Sequence, residues 1–463
     1  MAAVFRRGRG SAKPSDVRVA IDTHGCRLNQ FESDAMAEAL QRAGHTVVED
    51  LADAEVFVLN TCTVTHRADA DARRAIRRAR RDHPSLRVVM TGCHVDADPK
   101  AAAALPGLDA VLGNGRKAEL NEVLETLGPA DAPTLIAPSA LARRLPFTPL
   151  PPAVAPRRSR AMLKVQDGCN YRCAFCIVPK VRGSSRSLGI AEVVKQARHM
   201  VAAGVPELVL TGVHLGTYGR DLRPRQRITD LVRALLPELK TARLRLSSID
   251  PQEVDDELLA LMAENPGTIC RHLHLPVQAG DDGVLRRMRR GHTSRTFADL
   301  VHRATAAIPG IAIGSDVIAG FPGEDPLAFE RGAALLRGLP LAYLHVFPFS
   351  ARRDTPAATM ADQVPDAERS RRVAVLRSIS TAHTEQRQRA AVGRVADVVV
   401  HRRSRRDGRF EALTDDYLRV ALPPEASSLA GQRVQVRIEG DGTQATVVDR
   451  SECDRPEARA HGA

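Results

Sequence analysis

The chain of 463 residues contains no tryptophan, and aromatic residues make up only 3% of it. An extended platform on which successive bases stack is therefore not expected. No apolar run approaches the length of a membrane-spanning helix, about eighteen residues or more. Residues 1–16 are basic and polar, without the apolar segment of a secretory signal. We therefore expect no membrane association and a cytoplasmic location.

Lysine is also scarce, because only seven of the 67 basic residues are lysine while arginine and alanine are abundant throughout. The net charge of +12 favours a polyanionic partner, although a coding bias towards arginine would give the same excess. The chain has eight cysteines. In a reducing compartment we expect metal ligands or reactive thiols rather than disulfides.

Three of the cysteines, Cys169, Cys173 and Cys176, lie close together at spacing C-x3-C-x2-C. Three thiolates at this density can hold three corners of a 4Fe-4S cube and leave the fourth iron open to a small molecule. Phe175 lies between the last two and would shield a cluster from water. A zinc knuckle, which would need a fourth ligand, or simply buried cysteines are the alternatives.

The cysteine loop follows a predicted short strand, residues 162–166, and so lies at the carboxyl end of that strand. In α/β barrels this is the end that carries the chemistry. Residues 157–388 continue in a strand–helix rhythm with six predicted strands. The expected fold of this region is a partial parallel (βα)6 barrel rather than a closed eight-stranded one.

A second group of cysteines, Cys26, Cys62 and Cys93, lies in residues 17–127, where strands and helices also alternate. Each of the three comes just after a predicted strand of an open parallel α/β domain. Neighbouring parallel strands would bring the three loops to one edge of the sheet, where ligands bind in such folds. The position predicts a second three-thiolate site. Three unrelated buried cysteines are the alternative, since cysteine is among the most buried residue types.

The rest of the chain completes a predicted α/β protein of three domains. From about residue 391 the pattern changes to short strands separated by turns, which is typical of a small antiparallel β-barrel. The predicted organisation is a basic tail at 1–16, an α/β domain at 17–127, a Pro/Ala-rich linker at 128–156, the barrel core at 157–388, the β-barrel at 389–449 and a polar tail at 450–463.

The run from Gly168 to Gly183, GCNYRCAFCIVPKVRG, resembles the radical S-adenosylmethionine (SAM) superfamily and, within it, the methylthiotransferases. GCRLNQ at Gly25, NTCTVT at Asn60 and TGC at Thr91 are similar to the cluster-binding signatures of the amino-terminal domain of that family. The carboxy-terminal barrel resembles the TRAM module, which binds RNA.

This resemblance implies two 4Fe-4S clusters and a radical reaction. Cys169, Cys173 and Cys176 would hold the cluster whose open iron binds SAM and cleaves it to a 5′-deoxyadenosyl radical. Cys26, Cys62 and Cys93 would hold an auxiliary cluster that carries the sulfur to be inserted. A second SAM would supply the methyl group, and an electron donor and a sulfur source would come from outside the chain.

Among the branches of the family, the sequence motifs at Asn60–Thr65 and at Thr211–Gly216 resemble those of the enzymes that methylthiolate N6-threonylcarbamoyladenosine beside the anticodon of tRNA. The branch that acts on isopentenyladenosine in tRNA and the branch that modifies an aspartate of a ribosomal protein are the alternatives. A non-catalytic adaptor that binds zinc and RNA is the alternative from another class.

The resemblance also implies that residues beside bound SAM, here called the SAM side, lie at the carboxyl ends of the core strands. In the plainer interpretation these positions are ordinary βα turns, where glycine is common. Ala279 stands where relatives often have serine, and Asp354 where glycine is usual. The predicted SAM-side residues are Phe175, Gly212, His214, Ser247, Gln278 and Gly320.

Two arginine-rich stretches are predicted to contact RNA, one on a basic helix after Cys62 and one in a loop of the β-barrel. A solvated helix face is the plainer interpretation of such a run. Because a threonylcarbamoyl group carries a carboxylate, an Arg or Lys is expected to meet it, with Lys180, Arg182 and Arg220 as candidates. The predicted RNA contacts are Arg77, Arg78, Arg81, Arg402, Arg403, Arg405 and Arg406.

Overall fold

The computed structural model describes residues 16–127, 135–137, 159–404 and 407–448. The first domain is a six-stranded parallel sheet in the order β2-β1-β3-β4-β5-β6. Its strands are β1 Arg18–Thr23, β2 Thr46–Val48, β3 Val56–Thr61, β4 Arg87–Gly92, β5 Ala110–Leu112 and β6 Leu135–Ala137, and its helices are α1 Arg27–Arg42, α2 His66–Asp82, α3 Cys93–Ala97, α4 Pro99–Ala103 and α5 Leu120–Thr126.

Helices cover both faces of this sheet, which explains why the central strand β3 is buried at every residue. On one face Ile76 and Ala72 of α2 pack against the sheet, and on the other face Met36 and Leu40 of α1 do so. The predicted open parallel α/β domain is confirmed. The sheet extends into the range predicted as linker, because β6 lies there. A three-residue strand is too short to show a periodicity in the sequence.

The second domain contains six parallel strands in two sheets, β11-β10-β7 and β12-β13-β14, which isolated bridges join at Leu244–Ile269 and Ser248–His274. The predicted partial (βα)6 barrel is confirmed. Its elements are β7 Ala161–Lys164, β8 Gln166–Asp167, α6 Val178–Val181, β9 Arg186–Ser187, α7 Ile190–Ala202, β10 Glu207–Thr211, α8 Ile228–Leu239, β11 Arg243–Leu246, α9 Asp256–Glu264, β12 His272–His274, α10 Asp282–Arg287, α11 Ser294–Ala307, β13 Ala312–Ala319, α12 Pro326–Gly338, β14 Tyr343–Pro348 and α13 Asp366–Ala391.

The third domain is a closed barrel of five strands in the order β15-β16-β17-β19-β18. Four of its strand pairs are antiparallel, as predicted, while β17 and β19 meet in a single parallel pair. The sequence pattern predicts strands at 395–401, 409–414, 418–422 and 433–438, so the last strand, β19, was not predicted. The strands are β15 Val395–Ser404, β16 Phe410–Thr414, β17 Arg419–Leu422, β18 Arg433–Glu439 and β19 Gln444–Val447.

The flanking domains meet the core at different places. Phe31 and Ala35 of α1 pack on Met162 and Val209 of β7 and β10. At the amino-terminal ends of β10 and β11, the fully buried Arg245 pairs with Glu207 and donates to backbone carbonyls of the turn after β16. The β-barrel therefore covers the end of the core opposite the cysteine loop. No helix in the described ranges is long and apolar enough to cross a membrane.

Candidate active site: two groups of three cysteines

The loop of Cys169, Cys173 and Cys176 follows β7 and β8, and the side chain of Gln166 holds its start in place. The Gln166 amide donates to the carbonyl oxygen of Gly168 at 2.7 Å, and its Oε1 accepts the backbone N–H of His214 at 2.9 Å. A Cβ on Gly212 would lie 2.9 Å from that Oε1. The glycine therefore makes room for Gln166 itself.

The three thiols of this loop are half-buried beside a cavity of about 610 Å³. Burial, and next the neighbouring thiols, raise the pKa of Cys176 to about 12 although a backbone N–H opposes the shift. Thiols in this setting stay protonated until a cation replaces the protons. A soft, thiolate-binding iron cluster meets this requirement, and three ligands leave it one open corner.

Two further side chains contact these sulfurs. The guanidinium of Arg290 lies 3.5 Å from Cys173 Sγ and also pairs with Asp250. His214 Nδ1 lies 3.5 Å from Cys169 Sγ. Burial lowers the pKa of His214 to about 4, so this ring is neutral at neutral pH. Arg290, which approaches from the loop after α10, was not among the predicted site residues, because no sequence motif includes it.

The second group is assembled at the carboxyl edge of the first sheet. Cys26 precedes α1, Cys62 follows β3 and Cys93 begins α3, and the preceding strands β1, β3 and β4 are adjacent and parallel. Burial, and then the neighbouring Cys93, raise the pKa of Cys62 to about 12. Gly25 has φ +118°, and a Cβ there would lie 2.5 Å from the Cβ of Cys62. Glycine is therefore required where the two loops meet.

The second group lies against the first across the short helix α6. Cys93 packs on Ile177 and Val181, which belong to the segment just after Cys176. Asn114 connects the two sides, because its amide lies 3.5 Å from Cys93 Sγ and donates to the carbonyl of Val181 at 3.1 Å. Asn114 was not among the predicted site residues. The two groups of thiols thus share one wall.

Arg182 joins the two domains directly below this wall. Its buried guanidinium donates to Glu32 Oε1 at 2.8 Å, Asn29 Oδ1 at 2.7 Å and Asp167 Oδ1 at 3.2 Å. The hypothesis that Arg182 meets a substrate carboxylate is wrong, because these acceptors already occupy its donors. It is an ion-pair bridge between α1 and the cysteine loop.

The segment after β14 contacts residues next to both groups of thiols. Arg352 donates to Thr63 at 2.8 Å and to Asp69 at 2.6 Å, both close to Cys62, and the N–H of Ala357 donates to the carbonyl of Ala174 at 2.9 Å. Asp354, in the same segment, has φ +64°. This left-handed conformation explains why glycine is usual there, and aspartate is among the residues that tolerate it.

Two of the three candidates for meeting a carboxylate remain open. Asp354 lies 3.6 Å from the half-exposed Lys180, and both residues line the cavity beside the cysteine loop. Arg220 forms an ion pair with Glu253. Lys180 is therefore the candidate that lines the same cavity as the thiols.

The predicted SAM-side residues are placed as follows. Ser247 Oγ and His214 Nε2 are buried and have no hydrogen-bond partner among the described residues. Phe175 lies edge-on to Phe321, with ring centroids 6.5 Å apart. Gln278 donates its backbone N–H to β13, and the N–H of Gly320 donates to a carboxylate, so both shape turns. These two polar atoms without a hydrogen-bond partner fit a polar ligand, although His214 Nε2 also faces Glu253 at 3.9 Å.

The predicted RNA-contact arginines are partly accounted for. Arg77, Arg78 and Arg81 are exposed and line a groove of about 1290 Å³ together with several carboxylates. Arg402 is exposed, and the backbone of Arg403 belongs to β15. Arg405 and Arg406 lie outside the described residues. Arg80, in the middle of the basic helix, is instead tied to Asp109 and to backbone carbonyls.

Comparison with known proteins gives two family matches. Residues 18–113 match the model described as Uncharacterized protein family UPF0004, and residues 163–336 match the Radical SAM superfamily. The solved structure of a radical S-adenosylmethionine methyltransferase, TsrM from Kitasatospora setae, is similar with a TM-score of 0.54 and 16% identity, covering 74% of each chain. At this identity the likeness shows the fold alone.

Curated relatives cover most of the chain. The threonylcarbamoyladenosine tRNA methylthiotransferase MtaB of Bacillus subtilis is 35% identical over 91% of this chain and 93% of its own length. MtaB of Rickettsia prowazekii is 38% identical over 78% and 83%. The ribosomal protein uS12 methylthiotransferase RimO of a Roseiflexus species is 34% identical over 84% and 86%.

Radical SAM enzymes use SAM and a 4Fe-4S cluster, and the donor set of the cysteine loop fits that cluster. The relatives share one reaction type, although their printed substrates differ. The chain belongs to the radical SAM methylthiotransferase family.

Proposed function

We propose that this enzyme inserts a methylthio group at C2 of N6-threonylcarbamoyladenosine next to the anticodon of tRNA. The observation that carries the proposal is the shared wall between the two groups of three thiols, where Cys93 packs on Ile177 and Val181. The extensive similarity to the MtaB enzymes supports the choice of nucleoside. We further propose that the enzyme acts in the cytoplasm, on the tRNA present there.

The chain would hold two clusters. Cys169, Cys173 and Cys176 fit the one that every radical SAM enzyme has, and Cys26, Cys62 and Cys93 would hold an auxiliary 4Fe-4S cluster. When bound, the first supports reductive cleavage of SAM to a radical that abstracts hydrogen from an unactivated C–H, and the second offers an open iron for sulfur. The electron and the sulfur would come from an external donor and an external source.

The side chains around the thiols would bind and orient the cofactors and would exclude water from them. Ser247 Oγ and His214 Nε2 offer the two unpartnered polar atoms to SAM. Phe175 and Phe321 form an apolar edge beside the loop. The segment that contains Arg352 contacts residues next to both groups of thiols and would hold the two groups in a fixed relative position.

The substrate carboxylate would be met by Lys180. Its ammonium group lines the cavity of the cysteine loop and has Asp354 as its neighbour at 3.6 Å. A charge-assisted hydrogen bond from lysine to the threonyl carboxylate would discriminate against isopentenyladenosine, which has no charge there.

The tRNA itself would be held by phosphate contacts from two surfaces. One is the groove along α2 with Arg77, Arg78 and Arg81, and the other is the barrel edge with Arg402. These contacts would position the anticodon loop without reading its sequence.

Gene deletion followed by mass spectrometry of digested tRNA tests the substrate. We expect the methylthio form of threonylcarbamoyladenosine to disappear while the unmodified nucleoside accumulates. Loss of methylthio-isopentenyladenosine instead would assign the chain to the sister branch. An unchanged nucleoside profile, with loss of the ribosomal-protein modification, would contradict the tRNA proposal.

A further inference from the structure

Three side chains of metal-binding type meet on the sheet β12-β13-β14 of the core. His274, Asp316 and His345 each offer one ligand atom, and these atoms all lie within 4.8 Å of one another. Asp316 Oδ1 is 2.9 Å from His274 Nε2 and 3.2 Å from His345 Nδ1. None of the three has a role in the family reaction described above.

The parallel sheet β12-β13-β14 explains why these residues face the same way. Asp316 is directly opposite His345 in the register of β13 and β14. His274 is opposite Gly314, which lies two residues before Asp316 and therefore on the same face of β13. Three adjacent strands hold the ligands, so their spacing is fixed by backbone hydrogen bonds rather than by a loop.

A second layer orients one of the imidazoles. The hydroxyl of Tyr343 lies 3.2 Å from His274 Nδ1 and 2.9 Å from His272 Nε2. This contact occupies Nδ1 and directs Nε2 of His274 towards Asp316. A Cβ on Gly314 would collide with the ring of Tyr343, so glycine is needed there for the tyrosine to reach His274. A partner on the outer nitrogen is typical of metal-binding histidines.

Two of the three side chains can be reached from solvent. Asp316 Oδ1 is shared by both imidazoles, whereas Oδ2 has no hydrogen-bond partner in the part of the chain that the structure describes. The side chain of His345 is 50% exposed and that of Asp316 is 26% exposed. Ions can therefore reach the site from solvent, and one or more coordination positions would remain open.

We propose that His274, Asp316 and His345 bind a divalent transition-metal cation of the zinc type. Two imidazole nitrogens and one carboxylate with an open position form a donor set that Zn²⁺ and Fe²⁺ accept. The open position would take an anionic or neutral oxygen of a bound molecule. The ligand set contains no cysteine, so the site is independent of the two clusters.

Zinc binding to the holoprotein tests the proposal. The protein with reconstituted clusters is equilibrated with Zn²⁺ and desalted, zinc is counted by elemental analysis, and the zinc-edge X-ray absorption spectrum is recorded. We expect one zinc per chain with nitrogen and oxygen neighbours at about 2.0–2.1 Å and no sulfur at about 2.3 Å. Because iron occupies the cysteines and the spectrum reports only on zinc, the measurement distinguishes this site from the cluster sites.

Three variants assign the ligands. His345→Ala removes an exposed ligand from β14, and we expect it to lose the zinc. Tyr343→Phe removes only the hydroxyl, and with it the contacts to His274 and His272, and is expected to weaken zinc affinity by about 10–100-fold. His302→Ala, which changes an exposed histidine of α11, is the matched control and is expected to bind zinc like the unchanged protein.

Three results would overturn the proposal: no zinc retained by the unchanged protein, sulfur neighbours in its spectrum, or full zinc binding by His345→Ala. Unchanged iron content and far-ultraviolet circular dichroism show that each variant is folded, so a loss of zinc can be assigned to the missing ligand.

Discussion

The two groups of three thiols differ in how the chain builds them. Cys169, Cys173 and Cys176 lie within eight residues of one loop, so local backbone geometry brings them together. Cys26, Cys62 and Cys93 lie on three loops and meet only when β1, β3 and β4 pair side by side. The first is a local site, and the second depends on the tertiary fold of its domain.

This difference extends to their surroundings. The local site is half-buried and borders a cavity, as a site that admits a small molecule requires. In the assembled site Cys62 and Cys93 are buried, and Cys93 is covered by residues of the core. Changes to the packing between domains should therefore disturb the assembled site first.

The largest effect on stability is expected from Arg182→Leu. Breaking a buried ion pair typically costs about 3–5 kcal/mol, and we expect about 3 kcal/mol because Lys117 and Lys164 still pair with Glu32. Thermal unfolding of the cluster-free protein measures this loss, with exposed Arg73→Leu as the control. After reconstitution, the local site should retain more iron than the assembled site. Equal midpoints for the two variants would show that Arg182 does not join the domains.

Acid should weaken the assembled site through Asp69. Burial alone would raise the pKa of this carboxyl, but hydrogen bonds from His94, Thr63 and Arg352 lower it to about 2. A lowered pKa gives stability that is present above the ordinary value of 3.8 and is lost as the pH falls towards 2. The loss is about 2 kcal/mol.

Unfolding midpoints of the cluster-free protein between pH 5 and about pH 2 measure this contribution. Asp69→Asn should flatten the dependence of the midpoint on pH. Asp167 also has a pKa lowered to about 2, but it titrates in both proteins, so the difference between them isolates Asp69. Parallel profiles would mean that Asp69 contributes no stability to the contact between α2 and the segment after β14.

A smaller effect, confined to the local site, is expected from His214→Leu. With Cys169 as a thiolate ligand, His214 Nδ1–H can donate to its sulfur, and hydrogen bonds to sulfur raise the reduction potential of a cluster. We expect the potential of the local cluster to fall by roughly a few tens of millivolts. Redox titration followed by electron paramagnetic resonance measures it, with exposed His199→Leu on α7 as the control.

Because the pKa of His214 is about 4, this potential should not change with pH between about 5 and 8 through His214. A pH-dependent step in that range which disappears in His214→Leu would contradict the neutral ring.

The smallest effect is expected for tRNA binding by the exposed face of α2 in the first domain. Charge removal at Arg77, Arg78 and Arg81 should flatten the dependence of tRNA affinity on salt by about one unit for each lost phosphate contact. Exposed Arg295, Arg303 and Arg377, on α11 and α13, provide a control with the same change in net charge. If the dependence of tRNA affinity on salt is the same in the two triple variants, the arginines of α2 form only a solvated helix face.

The sequence predicted the features that depend on short-range pattern. The spacing of the local cysteines is visible within eight residues, and strands such as β3 and β10 show as short apolar runs. The assembled site could be anticipated because cysteines after successive parallel strands share an edge.

Features that depend on contacts between distant segments were not predictable. Arg182 is a surface arginine by residue type, and only the approach of Glu32 from α1 shows that it is buried. Gly212 was predicted to lie on the SAM side, but the space beside it is filled by Gln166. The strand β6 has three residues, too few for a periodic signal, and pairs at the edge of a sheet built from residues far before it.

The central claim is that the assembled site is an auxiliary cluster that serves sulfur insertion and not SAM cleavage. Replacing Cys26, Cys62 and Cys93 together by alanine tests it most directly. Reconstituted iron should fall from about eight to about four per chain, deoxyadenosine should still form from SAM, and methylthio product should disappear. Persistence of the methylthio nucleoside in this variant would contradict the claim.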